Sequence, residues 1–120
     1  MADGNPPPLT PAAFQVLLAL ARGRTHGYGI MGFIGEVTDG SVQLGPGTLY
    51  RTLARLAADG LVEETRESHE GEPHDARRRY YRLTRLGWDV ARREAELLDR
   101  LTSAAAAAGL LGDLRRADAS

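Results

Sequence analysis

The chain of 120 residues has no cysteine and no lysine. Without cysteine there are no disulfides, no thiolate nucleophile and no cysteine-ligated zinc. Without lysine, all fifteen basic residues are arginine. GC-rich coding accounts for that bias, but its result is a set of planar forks suited to phosphate and to base edges. Long apolar runs are also missing, none approaching the ~18 residues of a membrane span. The opening "MADGNPPPLTP" has neither the basic start nor the apolar core of a secretory signal. These absences lead us to expect a soluble, cytoplasmic protein with no membrane partner and no cofactor.

What is present suits one domain, since 120 residues bury a real core without staples. The net charge of −1 gives no overall pull on a polyanion, yet charge is unevenly placed. Glu63, Glu64, Glu67, Glu70, Glu72 and Asp75 crowd one stretch against Arg66 alone. Residues 77–93 then hold seven arginines against Asp89.

Residues 1–8 are polar with three consecutive prolines and read as a disordered arm. Thr10-Pro11 gives a cap and a first-position proline, and Phe14, Leu17, Leu18 and Ala21 supply the stripe of a first helix that Gly23 ends. In "THGYGIMGFIGEVTDG", Ile30, Phe33, Ile34 and Val37 keep helical spacing, Thr25 is the expected cap and Asp39-Gly40 the stop. The glycines inside this second helix predict a backbone packed closely against it, or a ligand near its first turn. "SVQLGPG" is a connector with room for one brief strand.

The third helix, "PGTLYRTLARLAADGL", starts at Pro46 and ends at Gly60. At 100° per residue, Leu49, Leu53 and Leu56 cluster within about 60°. Thr48, Arg51, Arg55 and Ala58 fall on the far side, with Tyr50 on the flank and Asp59 the one carboxylate nearby. A bare arginine face on so short a helix needs an explanation. "LVEETRES" and "RRRYYRLT" read as antiparallel strands with Glu–Arg cross-strand pairs, joined by the polar loop "HEGEPHDA". Alternation would turn one of Tyr80 and Tyr81 inward and the other outward, without saying which. Thr84 caps a long last helix reaching Gly109, striped by Leu86, Val90, Leu97, Leu101, Ala104 and Ala108, and 113–120 read as a fraying tail. A stripe that long exceeds what so small a body covers, which predicts a two-fold dimer through Leu86, Val90, Leu97 and Leu101.

The expected fold is therefore mainly α with a small β-hairpin. It comprises a winged helix-turn-helix over 9–83 and a dimerisation helix over 84–112. In that arrangement the third helix enters a DNA major groove with the hairpin beside it. Phosphates and guanine edges would then be the missing partners of Arg51 and Arg55, with Arg77, Arg78 and Arg79 on the wing.

Three blocks, "HGYGI" at 26–30, "LGPGTLYRTLARLAADGLVE" at 44–63 and "RRRYYRLTRLGW" at 77–88, closely resemble the PadR family of bacterial transcriptional regulators, in the family's order and spacing. The resemblance runs from about Leu9 to Gly87. It implies a dimeric winged-helix repressor responsive to a small aromatic or drug-like inducer, in the smaller subgroup with a single C-terminal helix. Tyr28 matches the family's backbone-contacting position, Thr48, Tyr50 and Arg51 its recognition helix, and Tyr80, Tyr81 and Leu83 its second wing strand. One departure is the wing loop "HEGEPHDARRR", longer and more acidic than the short glycine- and arginine-rich tip of many members.

Roles follow from chemistry. Tyr28 and Tyr50 would donate from their hydroxyls to phosphates, and the bare N–H groups at Gly27 and Gly29 would donate to another phosphate. Thr48, Arg51 and Arg55 would reach base edges or phosphates. Trp88, the one tryptophan, is a packing residue or a platform for a flat ligand. Three other patterns are set aside. Gly27, Gly29 and Gly32 spell G-x-G-x-x-G, but with no preceding strand and no βαβ unit expected. His69, Glu70, Glu72, His74 and Asp75 sit in one polar loop without metal geometry. Ser41, Ser68 and Ser103 have no His and Asp grouping for a nucleophile, so no enzyme is expected. The functional expectation is a homodimeric, sequence-specific regulator of double-stranded DNA with a near-palindromic operator. The competing class is a protein-binding or structural dimerisation module.

Overall fold

The computed structural model describes residues 9–66 and 79–112. Among these the order is α1 (Pro11–Ala21), β1 (Thr25–His26), α2 (Gly27–Val37), α3 (Pro46–Ala58), β2 (Val62–Thr65), β3 (Tyr80–Leu83) and α4 (Arg85–Ala107). This is the mainly helical winged helix-turn-helix order with a long last helix. No helix among the described residues is long and apolar enough to cross a membrane. The expected arm at 1–8, wing loop and tail lie outside the described residues.

α1 is the hub, packing against α2, α3, α4 and β3. Thr10 Oγ1 caps it by accepting the Ala13 N–H at 3.1 Å, and Pro11 sits in its first turn. Its buried side is Ala13, Val16, Leu17, Ala19 and Leu20, so only Leu17 of the expected stripe is fully buried. The helix is apolar nearly all round, so periodicity could not choose a face. The small Ala13 and Ala19 let neighbours come close.

α2 is capped by His26 and not by Thr25: the Gly29 N–H donates to His26 Nδ1 at 3.1 Å. Thr25 and His26 both belong to β1, and His26, the residue next to the helix, is the cap. Ile30 and Ile34 are buried, Val37 is exposed, and Phe33 carries the Arg22 guanidinium 4.6 Å above its ring. Asp39 and Gly40 end this segment in the left-handed region, at φ 52° and 79°. The expectation of a backbone packed closely against α2 is not met: an added Cβ would meet side chains at Gly27 and Gly29 and nothing within 4 Å at Gly32 and Gly35.

α3 buries Leu49, Leu53 and Leu56. It stops at Gly60 (φ 78°), where the Gly60 and Leu61 amides donate back to Ala57 and Leu56 carbonyls at 3.0 and 2.9 Å. No strand occurs in 41–45. The extra strand is β1, so the hairpin becomes a three-stranded antiparallel sheet in the order β1-β3-β2. Thr25 faces Tyr81 and His26 faces Tyr80, while β2 pairs Val62 with Leu83 and Glu63 with Arg82. The expected cross-strand ion pair forms there, with Arg82 Nε 2.7 Å from Glu63 Oε2. Both residues are about half exposed, so the pair contributes no more than about 1 kcal/mol.

The one-in, one-out expectation for Tyr80 and Tyr81 is overturned, since both are buried. β3 is the central strand and has cover on both faces. Tyr81 and Leu83 join the main core. Tyr80, on the other face, meets the His26 ring edge-on at 5.5 Å between centroids.

α4 is joined to the turn after α3 by two hydrogen bonds: Thr84 Oγ1 donates to the Gly60 carbonyl at 2.6 Å, and the Thr84 N–H donates to the Leu61 carbonyl at 3.1 Å. The same Thr84 Oγ1 caps α4 by accepting the Gly87 N–H at 3.0 Å. A Cβ at Gly87 would collide with the Leu61 carbonyl oxygen. Glycine is therefore required there by close backbone approach. Gly87→Ala should lower stability by about 1–3 kcal/mol, as overpacking does. Gly35→Ala, with open space and an ordinary helical backbone, should raise it by about 0.5–1 kcal/mol. Urea unfolding of the two variants checks both signs.

Candidate nucleic-acid interface

The outward face of α3 follows from its inward one. Leu49, Leu53 and Leu56 are sealed in the core, so Thr48, Arg51, Arg55 and Ala58 must point to solvent, and all four are exposed. Arg51 Nη2 donates to Thr48 Oγ1 at 3.3 Å. Among the described residues, no carboxylate forms an ion pair with Arg51 or Arg55. Gly45 starts α3 with no side-chain cap, and Pro46 has no N–H to offer. The first turn of α3 thus presents backbone donors beside the arginines.

Tyr28, in the first turn of α2, is 73% exposed. Its ring lies edge-on to His26 at 6.5 Å. Tyr50 is 45% exposed, and its hydroxyl reaches across to the first turn of α2. A Cβ on Gly27 would stand 2.5 Å from Tyr50 Oη, 3.1 Å from its Cζ and 3.3 Å from Leu49 Cδ2. The two tyrosines therefore flank the seam between α2 and α3. The expectation that the Gly27 and Gly29 amides are both bare is half wrong, because His26 Nδ1 takes the Gly29 N–H. A two-residue strand does precede the G-x-G-x-x-G pattern, contrary to expectation. It is an edge strand in an antiparallel sheet, so no βαβ unit arises.

Arg79, the residue before β3, is exposed. Arg77 and Arg78, and the loop holding His69, Glu70, Glu72, His74 and Asp75, lie outside the described residues. Sequence reasoning missed two residues of this region. His26 carried no signal as a cap, since histidine is not among the usual capping residues. Alternation leaves Tyr81 undecided between core and surface, yet it is buried with its phenol under the electrostatic influence of Glu64 and Arg79.

On α4, Leu86, Leu97, Leu98 and Leu101 are exposed, as are Leu110 and Leu111 beyond its end. Val90, expected with them on a free stripe, is buried in the subunit's own core with Ala91, where α4 crosses α1. Trp88 is 45% exposed. It lies about 160° around the helix from Val90, away from the leucine stripe.

Residues 16–93 match the model of the transcriptional regulator PadR-like family. A curated relative, "Uncharacterized 37.1 kDa protein in transposon TN4556" of Streptomyces fradiae, is 41% identical over 91 residues, 76% of this chain. The match spans about a quarter (24%) of that relative's length. A transcriptional regulator from Clostridium thermocellum superposes with TM-score 0.63 at 26% identity, covering 78% of this chain and 84% of that one. A PadR family transcription regulator from Clostridium difficile shares the fold, with TM-score 0.63 at 21% identity over 78% of this chain and 93% of its own.

The buried Tyr81 phenol has a reading in solution. Burial pushes the Tyr81 phenol above its ordinary 10.0, and Glu64 pushes the same way, while the hydrogen bond and charge of Arg79 oppose them. The folded state thus holds this proton more tightly than the unfolded one. Tyr81's contribution is complete below pH 10 and is lost as pH rises through the folded value. Glu64→Gln should lower the Tyr81 titration and Arg79→Ala should raise it, followed by tyrosinate absorbance.

Proposed function

The chain belongs to the PadR-like family of transcriptional regulators, and from that premise we propose that it is a homodimeric, sequence-specific repressor that reads double-stranded DNA with residues 46–60. The family acts by binding DNA and is not enzymatic. One observation carries the finer reading: the Thr48–Arg51–Arg55 face is exposed, cationic and without a carboxylate partner among the described residues. A duplex supplies what that face lacks, phosphate oxygens along its edge and guanine O6 and N7 in the major groove. Tyr28 and Tyr50 hydroxyls donate to phosphates on either side of the α2–α3 seam, and Arg79 extends the contact toward the wing with Arg77 and Arg78.

Dimerisation is assigned to the exposed leucines of α4, Leu86, Leu97 and Leu101, which a second copy would cover. Two recognition helices would then sit about 34 Å apart, one turn of DNA, and the operator would be near-palindromic. A small aromatic inducer belongs to the same proposal, stacked on the half-exposed Trp88. It would release DNA only by favouring one spacing of the helices over another. A dimerisation module that binds protein alone draws on the same exposed leucines but leaves the arginine face without a purpose.

Selection from a random duplex pool should return a near-palindrome, and a pool without enrichment would favour the protein-binding alternative. On the selected duplex, affinity should fall steeply and linearly in log salt. Arg51→Glu should cost at least 100-fold in affinity while changing stability by no more than about 0.5 kcal/mol. A folded Arg51→Glu variant that still binds would remove Arg51 from the interface. A panel of planar aromatic compounds that neither quenches Trp88 emission nor releases the duplex would remove the inducer.

A further inference from the structure

Gly27 is a glycine that its own helix does not need. Its φ is not positive, so alanine would suit the backbone there and favour the helix more. Gly35, in the same helix, has nothing within 4 Å of where a Cβ would stand. At Gly27 that place is already taken. Tyr50 Oη lies 2.5 Å from it, Tyr50 Cζ 3.1 Å and Leu49 Cδ2 3.3 Å. The last contact matters because Leu49 is fully buried. Leu49 therefore has little room to give, and it is the half-exposed Tyr50 ring that a Cβ at Gly27 would push aside.

We propose that Gly27 is a positioning residue for DNA recognition: its missing side chain is the seat in which the Tyr50 phenol rests against α2. That seat fixes the angle and register of α2 against α3. The inference rests on the reading of α3 as the DNA-reading helix. Tyr28 follows Gly27 in the chain and Arg51 follows Tyr50, so one contact sets the spacing between a phosphate donor on α2 and a base-reading group on α3. A surface already arranged in its bound geometry loses less on binding than one that must be ordered. A displaced Tyr50 would swing the two groups out of step while leaving the leucine face of α3 in place.

A double-mutant cycle on the selected duplex tests this, run at low salt so that weakened variants stay measurable. Gly27→Ala should weaken binding at least tenfold when Tyr50 is present. In a Tyr50→Ala background, where the ring is gone, the same change should cost less than threefold. Gly35→Ala should melt higher than the parent and bind within twofold of it. Equal losses from Gly27→Ala in the two backgrounds would overturn the proposal. If Gly27→Ala alone does not fold, the double variant should, and an equally unfolded double variant would also overturn it. A readout without DNA separates this idea from the reading beneath it: nuclear Overhauser contacts between the Tyr50 ring and the Gly27 α-protons. Their absence from the parent protein overturns the seat whatever the DNA results. Their presence in a protein that binds no duplex overturns the DNA-reading role of α3, and the positioning role with it.

Discussion

The rotation of α3 about its own axis sets which side chains this protein offers to a partner, and three leucines set that rotation. Leu49, Leu53 and Leu56 are almost wholly removed from solvent against the rest of the core. Burying a leucine contributes about 1.5–3 kcal/mol. A turn of α3 that hid Arg51 or Arg55 would expose the leucines and bury a guanidinium without a partner. The arginine face is therefore held outward by apolar packing. No contact of the arginines' own is needed to hold it there. The Schellman-type stop at Gly60 and the return of the chain through Leu61 then fix where the sheet begins relative to that face.

Around this helix, the neighbouring elements are located by places where backbone or side chain comes closer than a Cβ would permit. Gly87 brings the start of α4 onto the Leu61 carbonyl, and Gly27 accepts the Tyr50 phenol. Each glycine weakens its own helix a little and offsets that by allowing a join between elements. The joins radiate from α3: one to α2, and one through Leu61 both to α4 and to β2 of the sheet. A recognition surface assembled from α2, α3 and the wing needs such fixed relations, because its donors must match a duplex of fixed groove geometry.

Most of the architecture was legible from residue pattern. Thr10-Pro11 and Thr84 announce helix starts, Gly60 and Gly109 announce ends, and the α3 wheel separates leucines from arginines without ambiguity. The face of α1 was not legible, because a helix surrounded by four elements is apolar on most sides and its periodicity loses contrast. That Tyr80 and Tyr81 are both buried was not legible for a related reason. Alternation presumes a strand with one wet face, whereas β3 is flanked by β1 and covered on both faces. β1 itself is two residues long, too short to carry a pattern. The cap at His26 and the burial of Val90 depend on neighbours remote in sequence or on an uncommon capping chemistry, and neither leaves a local signature.

The sequence alone determined the order of elements, the two faces of α3 and the charge carried by each, because these depend on side chains spaced a few residues apart. Tertiary structure alone decided which face of α1 is inside, that both tyrosines of β3 are buried, that Val90 belongs to the body and not to the free stripe, and that Gly27 lies under Tyr50. Those outcomes depend on which surfaces meet when the helices pack. Packing is a property of whole faces in contact, and no short window of residues contains it.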